Sequence, residues 1–347
     1  MVGIGVVGIG FMGMIHYLAA RRVAGAKVVA VCSRNERKRA GDWTGIRGNF
    51  GPRGEMMDLS GLKAYERLEE VLDDPRVDLV DLCLPNDEHA KAAVRALEAG
   101  KHVLVEKPIA LSVAEADAML RAAKASGRKL MVAHVLPFFP EFAYAMEAVK
   151  SGRYGALKAA HLSRMISRPD WSAGIGDDSR SGGPAIDLHI HDTHFISLVC
   201  GVPKAVRSRG VVEGEAVVYL DTQYLYDDPN LTVSAVSGAL SQSGRSFMHG
   251  FEFYLERATI SFESSNLAGE ARSSPLSLIL PGGKVERPEL GSADPIDAFA
   301  EELRAAVDEV GEDRPAAQLS GELAREALVI CRAEVESVRS GKAVDTR

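Results

Sequence analysis

The stretch AIDLHIHDTHF, Ala185 to Phe195, sets three histidines and two aspartates within eleven residues. Written on an α-helix, Asp187, His191 and His194 are spaced i, i+4 and i+7 and share one face. His189 and His191 point about 200° apart on the same helix, so they do not reach one ion together. Zinc ligation is therefore the weaker use of the segment, and no metal is expected. Acid–base chemistry is the stronger use. Oxidising a secondary alcohol removes a proton from oxygen while a hydride leaves carbon, and an imidazole that titrates near neutrality suits the proton. His191 is the candidate base, with Asp187 orienting it or holding a neighbouring hydroxyl. His189 either reaches substrate from the first helical turns or is a satisfied interface histidine. Trp171, in SRPDWSAG just upstream, is a candidate for stacking on the C–H face of a sugar or is a loop anchor. Arg168 and Asp170 are further substrate-side candidates.

A second constellation opens the chain. GIGVVGIGFMG holds two overlapping GxGxxG frames, Gly3-Gly5-Gly8 and Gly8-Gly10-Gly13. The fingerprint works only after a strand and at a helix start. Only the second frame has both, so Gly8, Gly10 and Gly13, with Phe11 and Met12 at the helix start, are expected to offer backbone N–H groups to a pyrophosphate. An acid about 20 residues further on normally takes the adenine ribose hydroxyls in NAD enzymes. Here Ser33 stands in its place, followed by Arg34 in VCSRNERKR. A carboxylate repels a 2′-phosphate, whereas Ser and Arg bind one. NADP is the expected cofactor, with NAD the alternative.

These residues need elements to hold them. In the first third, short apolar runs (Val2–Gly8, Lys27–Ser33, Leu79–Leu84, His102–Glu106, Lys129–Val135) alternate with helix-like segments (Met12–Val23, Tyr65–Leu72, Asp87–Ala99, Val113–Ala125). That alternation predicts a doubly wound parallel α/β sheet, a Rossmann domain. The glycine-rich region Gly41–Gly61 reads as a surface loop inserted in it. Further on come a helix at Glu141–Lys150, a strand at Ala156–Ile166, a polar loop to Gly183 and one helix over Pro184–Val199. β-branched and aromatic runs from Lys204 to Arg287 predict an open, mainly antiparallel sheet. Helices over Pro295–Val310 and Ser320–Ser340 close the chain. The expected division is a dinucleotide-binding Rossmann domain over 1–126 and an α+β substrate-binding and oligomerisation domain over 127–347.

Bulk properties narrow the classes. The chain has 347 residues, 46% apolar and 26% charged, with net charge −7. That balance fits a globular protein and argues against nucleic acid as the main partner. No apolar run approaches ~20 residues, so no membrane span is expected. The start MVGIGVVGIG reads as a first strand, without the basic start of a signal peptide. Cys32, Cys83, Cys200 and Cys331 have no CxxC spacing and suit free thiols of a reducing cytoplasm.

The stretch DLVDLCLPNDEHAKAAVRALEAGKHVLVEKP, Asp78 to Pro108, together with the glycine turn, resembles the Gfo/Idh/MocA oxidoreductases, the glucose–fructose oxidoreductase and inositol dehydrogenase group. SGGPAIDLHIHD is similar to the family's Gly-Gly-x-x-x-Asp-x-x-x-His stretch, and ESVRSGKAV to its last helix and tail. The resemblance implies hydride transfer between a nicotinamide and a secondary alcohol or ketone of a sugar, inositol or related polyol, in a homodimer or homotetramer. It implies that Lys107 touches the reacting hydroxyl, with Asp187 and His191 beside it. Pro85, Asn86, His89, Glu106 and Lys107 would line the nicotinamide-ribose end. A lysine ammonium stabilises a developing alkoxide, so the residues themselves agree. The resemblance also admits a redox glycosidase that keeps its dinucleotide bound, and a non-enzymatic dinucleotide-responsive regulator. One departure lies in AHVLPFFPEF, where many relatives carry Arg or Asn and this chain has Pro137 and Phe138. His134, at the end of that strand, is a further substrate-side candidate.

Overall fold

The apolar runs of the first third form one parallel sheet whose strands are buried on both faces, as strands between helices must be. The elements are β1 (Val2–Val7), α1 (Phe11–Ala20), β2 (Ala26–Cys32), α2 (Glu36–Arg39), β3 (Lys63–Tyr65), α3 (Leu68–Leu72), β4 (Leu79–Leu82), α4 (His89–Glu98), β5 (His102–Glu106), α5 (Val113–Ser126) and β6 (Leu130–Ala133). Sheet order is β3-β2-β1-β4-β5-β6. This doubly wound order puts a switch point between β1 and β4, where such sheets take ligands. Local signals set the helix ends. The Ser112 side chain accepts the Glu115 N–H at 3.3 Å, and the Glu115 carboxylate accepts the Ser112 N–H at 3.0 Å, a capping box that starts α5.

The remaining elements are α6 (Pro140–Lys150), β7 (Leu157–Ser167), α7 (Asp178–Ser181), α8 (Pro184–Asp187), α9 (Ile190–Cys200), β8 (Ala205–Glu213), β9 (Ala216–Leu225), β10 (Thr232–Leu240), β11 (Phe247–Leu255), β12 (Ala258–Leu267), β13 (Glu270–Leu280), β14 (Lys284–Glu286), α10 (Pro295–Glu312), α11 (Gly321–Ser340) and β15 (Val344–Asp345). A nine-stranded sheet runs β14-β13-β12-β11-β7-β10-β9-β8-β15. Only its β7–β10 pair is parallel. Side chains alternate across it: Phe251, Phe253 and Leu255 point into the core, and Glu252 and Tyr254 point out. Phe142 of α6 meets Phe195 of α9 and Phe251 edge-on, with ring centroids 5.1 and 4.9 Å apart. That aromatic core is what holds the α6 and α9 helices to the sheet.

The computed structural model describes residues 1–48, 50–168, 178–292 and 294–347. The chain divides into two units, Met1–Phe138 with Ser292–Arg325, and Phe139–Gly291 with Glu326–Arg347. A boundary at residue 126 falls short of this. Strand β6 pairs with β5, and α10 returns to the first unit. Among the described residues no helix is long and apolar enough to cross a membrane, and all four cysteines are free thiols.

Two local expectations are corrected. Tyr65–Leu72 is not one helix, because Tyr65 ends β3 in register with Cys32 and the helix starts at Leu68. The described part of Gly41–Gly61 is mostly exposed and outside any named helix or strand, as expected of a surface loop, and aromatic contacts anchor it. Its Trp43 is 0% exposed and meets Tyr17 edge-on at 5.0 Å. Phe50 stacks on Phe299 of α10 at 5.5 Å and meets Phe11 edge-on at 4.8 Å. Finally, the helix expected over Pro184–Val199 breaks at Leu188 and His189. Both of their N–H groups bond to the Pro184 carbonyl at 3.1 Å, the second spanning five residues, and the Asp192 N–H reaches back only three, to His189. The helix is therefore interrupted between Asp187 and His191 by one backbone bond that spans five residues.

Candidate active site

The glycine turn between β1 and α1 meets the steric demands of a dinucleotide loop one residue at a time. Gly8 has φ +96°, and a Cβ there would lie 2.4 Å from the Cys83 carbonyl oxygen. A Cβ on Gly13 would lie 2.0 Å from the Gly8 carbonyl oxygen, so the third glycine lets the helix start pack on the turn. Gly10 faces open space within 4 Å, the clearance a pyrophosphate needs at the backbone. Gly10 is also the N-cap of α1, with no side-chain cap and no acid in the first turn. The first N–H groups and the positive end of the helix are thus left for an anion. Gly3 and Gly5 lie inside β1, where a Cβ would strike Arg76 and Val71, so the first glycine frame serves packing. Phe11 and Met12 are half-buried at the helix start. Lys38 Nζ donates to the Ile9 carbonyl at 2.6 Å, bracing the turn with a cation that the sequence reading left within a basic run.

At the end of β2 the Ser33 hydroxyl accepts the Asn35 N–H at 3.2 Å. Arg34 is exposed, and its guanidinium donates to Glu88 at 3.1 Å. Pro85 leads into a short 3₁₀ turn that holds Asn86 half-buried.

Beneath the turn lies a buried polar cluster that sequence reasoning missed. His16, on α1, sets Nδ1 3.0 Å from both Asp81 oxygens of β4. Its Nε2 is 3.1 Å from Glu106 Oε1 at the end of β5 and 3.9 Å from Glu302 Oε2 of α10. Glu106 Oε2 accepts the Lys107 N–H at 3.0 Å, and the Lys107–Pro108 peptide is cis. Burial opposes a charge on His16, but Asp81 outweighs it and the pKa stands well above the ordinary value. Burial, with Glu106 and Asp81 adding to it and His16 opposing it, pushes the Glu302 pKa well above the usual carboxylate range. The one sequence signal was a histidine inside the apolar run MGMIHYLAA.

His16, Asp81 and Cys83 also present metal-ligand atoms within 4.8 Å of one another. Burial, helped by Asp81, pushes the Cys83 thiol pKa up, and both His16 nitrogens face carboxylates. A metal needs a thiolate and a free imidazole lone pair, so the donor set suits hydrogen bonding.

Several expected contacts take other places. His89 is 0% exposed, with Nδ1 2.8 Å from the Pro108 carbonyl and Nε2 2.9 Å from the Leu84 carbonyl. It clamps two turns and has no surface for a ribose. Glu106 is 7% exposed and is spent on His16 and the Lys107 N–H. His134 is 1% exposed after β6, which removes it from a substrate surface. Lys107 itself is half-buried.

In the second unit Asp187 and His191 are half-buried, whereas His189, Asp192 and His194 are buried. His189 is no substrate residue. Its Nδ1 faces Ser237 Oγ at 2.7 Å, and its Nε2 faces Tyr224 Oη at 3.1 Å and Glu334 at 3.2 Å. Asp192 takes a two-pronged bond from Arg164 at 2.8 and 2.9 Å. Burial lowers the His194 pKa to about 3, so this histidine stays neutral. Arg168 is exposed and paired with Glu213. Trp171 and Asp170 lie outside the described residues.

Residues 2–134 match the family model for the oxidoreductase family with an NAD-binding Rossmann fold, GFO_IDH_MocA. Residues 2–134 thus carry the NAD-binding Rossmann fold of the Gfo/Idh/MocA oxidoreductases. A myo-inositol 2-dehydrogenase of Thermotoga maritima is 30% identical over 200 residues, covering 57% of this chain and 54% of that protein. A 1,5-anhydro-D-fructose reductase of Ensifer adhaerens is 31% identical over 139 residues, covering 40% of this chain and 42% of its own. Alignments to the curated relatives thus span about half their length or less. A solved levoglucosan dehydrogenase, in complex with NADH and levoglucosan, matches 99% of both chains with TM-score 0.79 at 21% identity. That likeness is one of fold, and it takes in both units.

Proposed function

We propose that the protein is an NAD(P)-dependent oxidoreductase acting on a secondary alcohol or ketone of a sugar, inositol or related polyol. The observation that carries this reading is the glycine turn, where each of Gly8, Gly10 and Gly13 meets its own steric requirement in a chain that also bears Glu106-Lys107-Pro108. The names of the relatives, which act on inositol and anhydro sugars, support the substrate class. When bound, the dinucleotide supplies the hydride acceptor. The chain's residues do the rest. The Lys107 ammonium stabilises charge building on the substrate oxygen. His191 takes the hydroxyl proton, and Asp187 orients it or holds a second hydroxyl. Their partial exposure, beside buried His189 and His194, supports that division of labour. Ser33 and Arg34 favour a 2′-phosphate, hence NADP. The outward residues of the open sheet, including Tyr254 at 38% and Ile279 at 40% exposure, support a homodimer or homotetramer. Sedimentation would read that state directly.

The test is a screen for reduced nicotinamide with NADP and NAD in parallel, against sugars, inositols, aldonates and lactones. Oxidation of one polyol, with NADP preferred over NAD as the hydride acceptor, is the expected result. Tight dinucleotide binding with no turnover of any polyol would sink the reading. His191→Ala should lower kcat about 10²–10⁴-fold with dinucleotide affinity intact. Arg34→Ala should cut the NADP preference about tenfold, the loss of one charged contact of about 1.4 kcal/mol.

A further inference from the structure

His16 has no part in the function above, yet it touches more of its machinery than any other buried side chain described. We infer that His16 is a positioning residue that ties the dinucleotide turn to the Glu106-Lys107-Pro108 turn, so that seating of the dinucleotide sets the aim of Lys107. The inference rests on the oxidoreductase reading for Lys107 itself.

Three observations carry it. His16 lies on α1, the helix whose first residues form the phosphate-facing turn. Its ring spans two strands, with Nδ1 on Asp81 of β4 and Nε2 on Glu106 of β5. The far oxygen of Glu106 holds the backbone N–H of Lys107 at 3.0 Å. A shift of α1 along its axis therefore moves the imidazole, and the imidazole moves the carboxylate on which the Lys107 backbone hangs. The cluster is closed from water, since His16 and Asp81 are 0% exposed and Glu106 is 7% exposed. The Nδ1–Asp81 contact is a hydrogen bond, and the Nε2–Glu106 contact is a close charge pair at 3.1 Å without hydrogen-bond alignment; a charge pair closed from water is strong. Glu302 fills the remaining side of the ring. Its oxygens have no hydrogen-bond partner and lie 3.9 Å or more from Nε2, so it does not compete for Glu106. The His16–Glu106 contact thus joins the cluster to the lysine turn.

Two substitutions separate the two ends of the ring. In His16→Asn the amide nitrogen stands near the place of Nδ1 and keeps Asp81, while the link to Glu106 is lost. In His16→Gln the amide reaches the place of Nε2 and keeps Glu106. The expected result is a kcat loss of at least tenfold in His16→Asn, with NADP affinity within threefold of wild type and a smaller kcat loss in His16→Gln. Equal kcat in the two variants, or a change confined to melting temperature, overturns the inference. A second readout needs no turnover. The acetylation rate of Lys107 by acetic anhydride, followed by mass spectrometry, is measured with and without NADP. Wild type and His16→Gln should show a dinucleotide-dependent change, and His16→Asn should not. If wild type turns over no polyol, the polyol reading falls, and this labelling comparison still decides the role of His16. Should His16→Asn fail to fold, Glu106→Gln breaks the same link from the other side. Loss of the labelling change there supports the inference, and its persistence refutes it.

Discussion

His16 in the Rossmann unit and His189 in the sheet unit are both 0% exposed, and in both a carboxylate raises the pKa against the pull of burial. Their surroundings differ. His16 faces carboxylates at both nitrogens, Asp81 and Glu106, with Glu302 behind. His189 faces one carboxylate, Glu334, and two hydroxyls, Ser237 and Tyr224. The first is a charge cluster joining elements that must move together. The second is a hydrogen-bonded hub at the break between α8 and α9, which sets the relative directions of Asp187 and His191. One fold thus uses buried imidazole in two ways, as a coupling and as a fixture.

The comparison can be broken most forcefully at the hub. Glu334→Ala removes the carboxylate bonded to His189 and should cost about 3–5 kcal/mol of stability, read from urea midpoints. A loss under ~1 kcal/mol would mean the hydroxyls hold a neutral ring unaided.

Protonation sharpens the contrast next. Burial lowers the folded pKa of His194, and of His249 beside Arg164, to about 3. Their unfolded value is about 6.5, so the unfolded chain takes up protons that the folded chain refuses. Each should remove about 1.4 kcal/mol per pH unit as pH falls from about 6.5 toward 3. His16 and His189 act the other way. Their stabilisation is fully present below about 6.5 and is lost as pH rises through their raised folded values. His249→Phe, a ring for a ring beside Phe142, should flatten the acid slope in urea titrations and leave the alkaline limb unchanged. An unchanged acid slope would mean that His249 carries a proton in the folded protein.

Two smaller effects remain. Phe50→Ala removes ring contacts with both Phe11 and Phe299 and should cost about 1–2 kcal/mol, with a weaker hold on NADP in a binding titration. Glu302→Gln puts a neutral side chain of the same size where burial already disfavours the charge, and it should change stability at neutral pH by less than ~1 kcal/mol. A larger change in the urea midpoint would show that Glu302 is ionised.

Much of the first unit was legible in the sequence, because its signals are local. A glycine turn between an apolar run and a helix start, and β-branched runs at regular spacing, need only neighbours along the chain. β3 was missed because three residues after a glycine-rich stretch carry too little pattern to declare a strand. The second unit's site was legible only in part. Asp187 and His191 were named, but the helix was drawn straight through Leu188 and His189, and composition does not announce a five-residue backbone bond. The fixed place of His189 depends on Glu334, 145 positions away, and that of His16 on Asp81 and Glu106 from other strands. Such pairings are written in tertiary contact, which periodicity does not reach. Lys38 was visible as a charge, and its role on the Ile9 carbonyl was not.

The split of the first unit along the chain has a consequence for how the protein is made. α10 packs on α1, and its Phe299 and Glu302 close the Phe50 stack and the His16 cluster. Those residues leave the ribosome only after eight of the nine strands of the second sheet, from Leu157 to Glu286, have been synthesised. The six strands of the Rossmann sheet therefore emerge early but wait, with α1 uncovered on one side, for a helix translated roughly 160 residues after β6. During synthesis the nucleotide-binding half is begun first but closes only when α10 arrives, and the sheet half is completed after it by the end of α11 and β15.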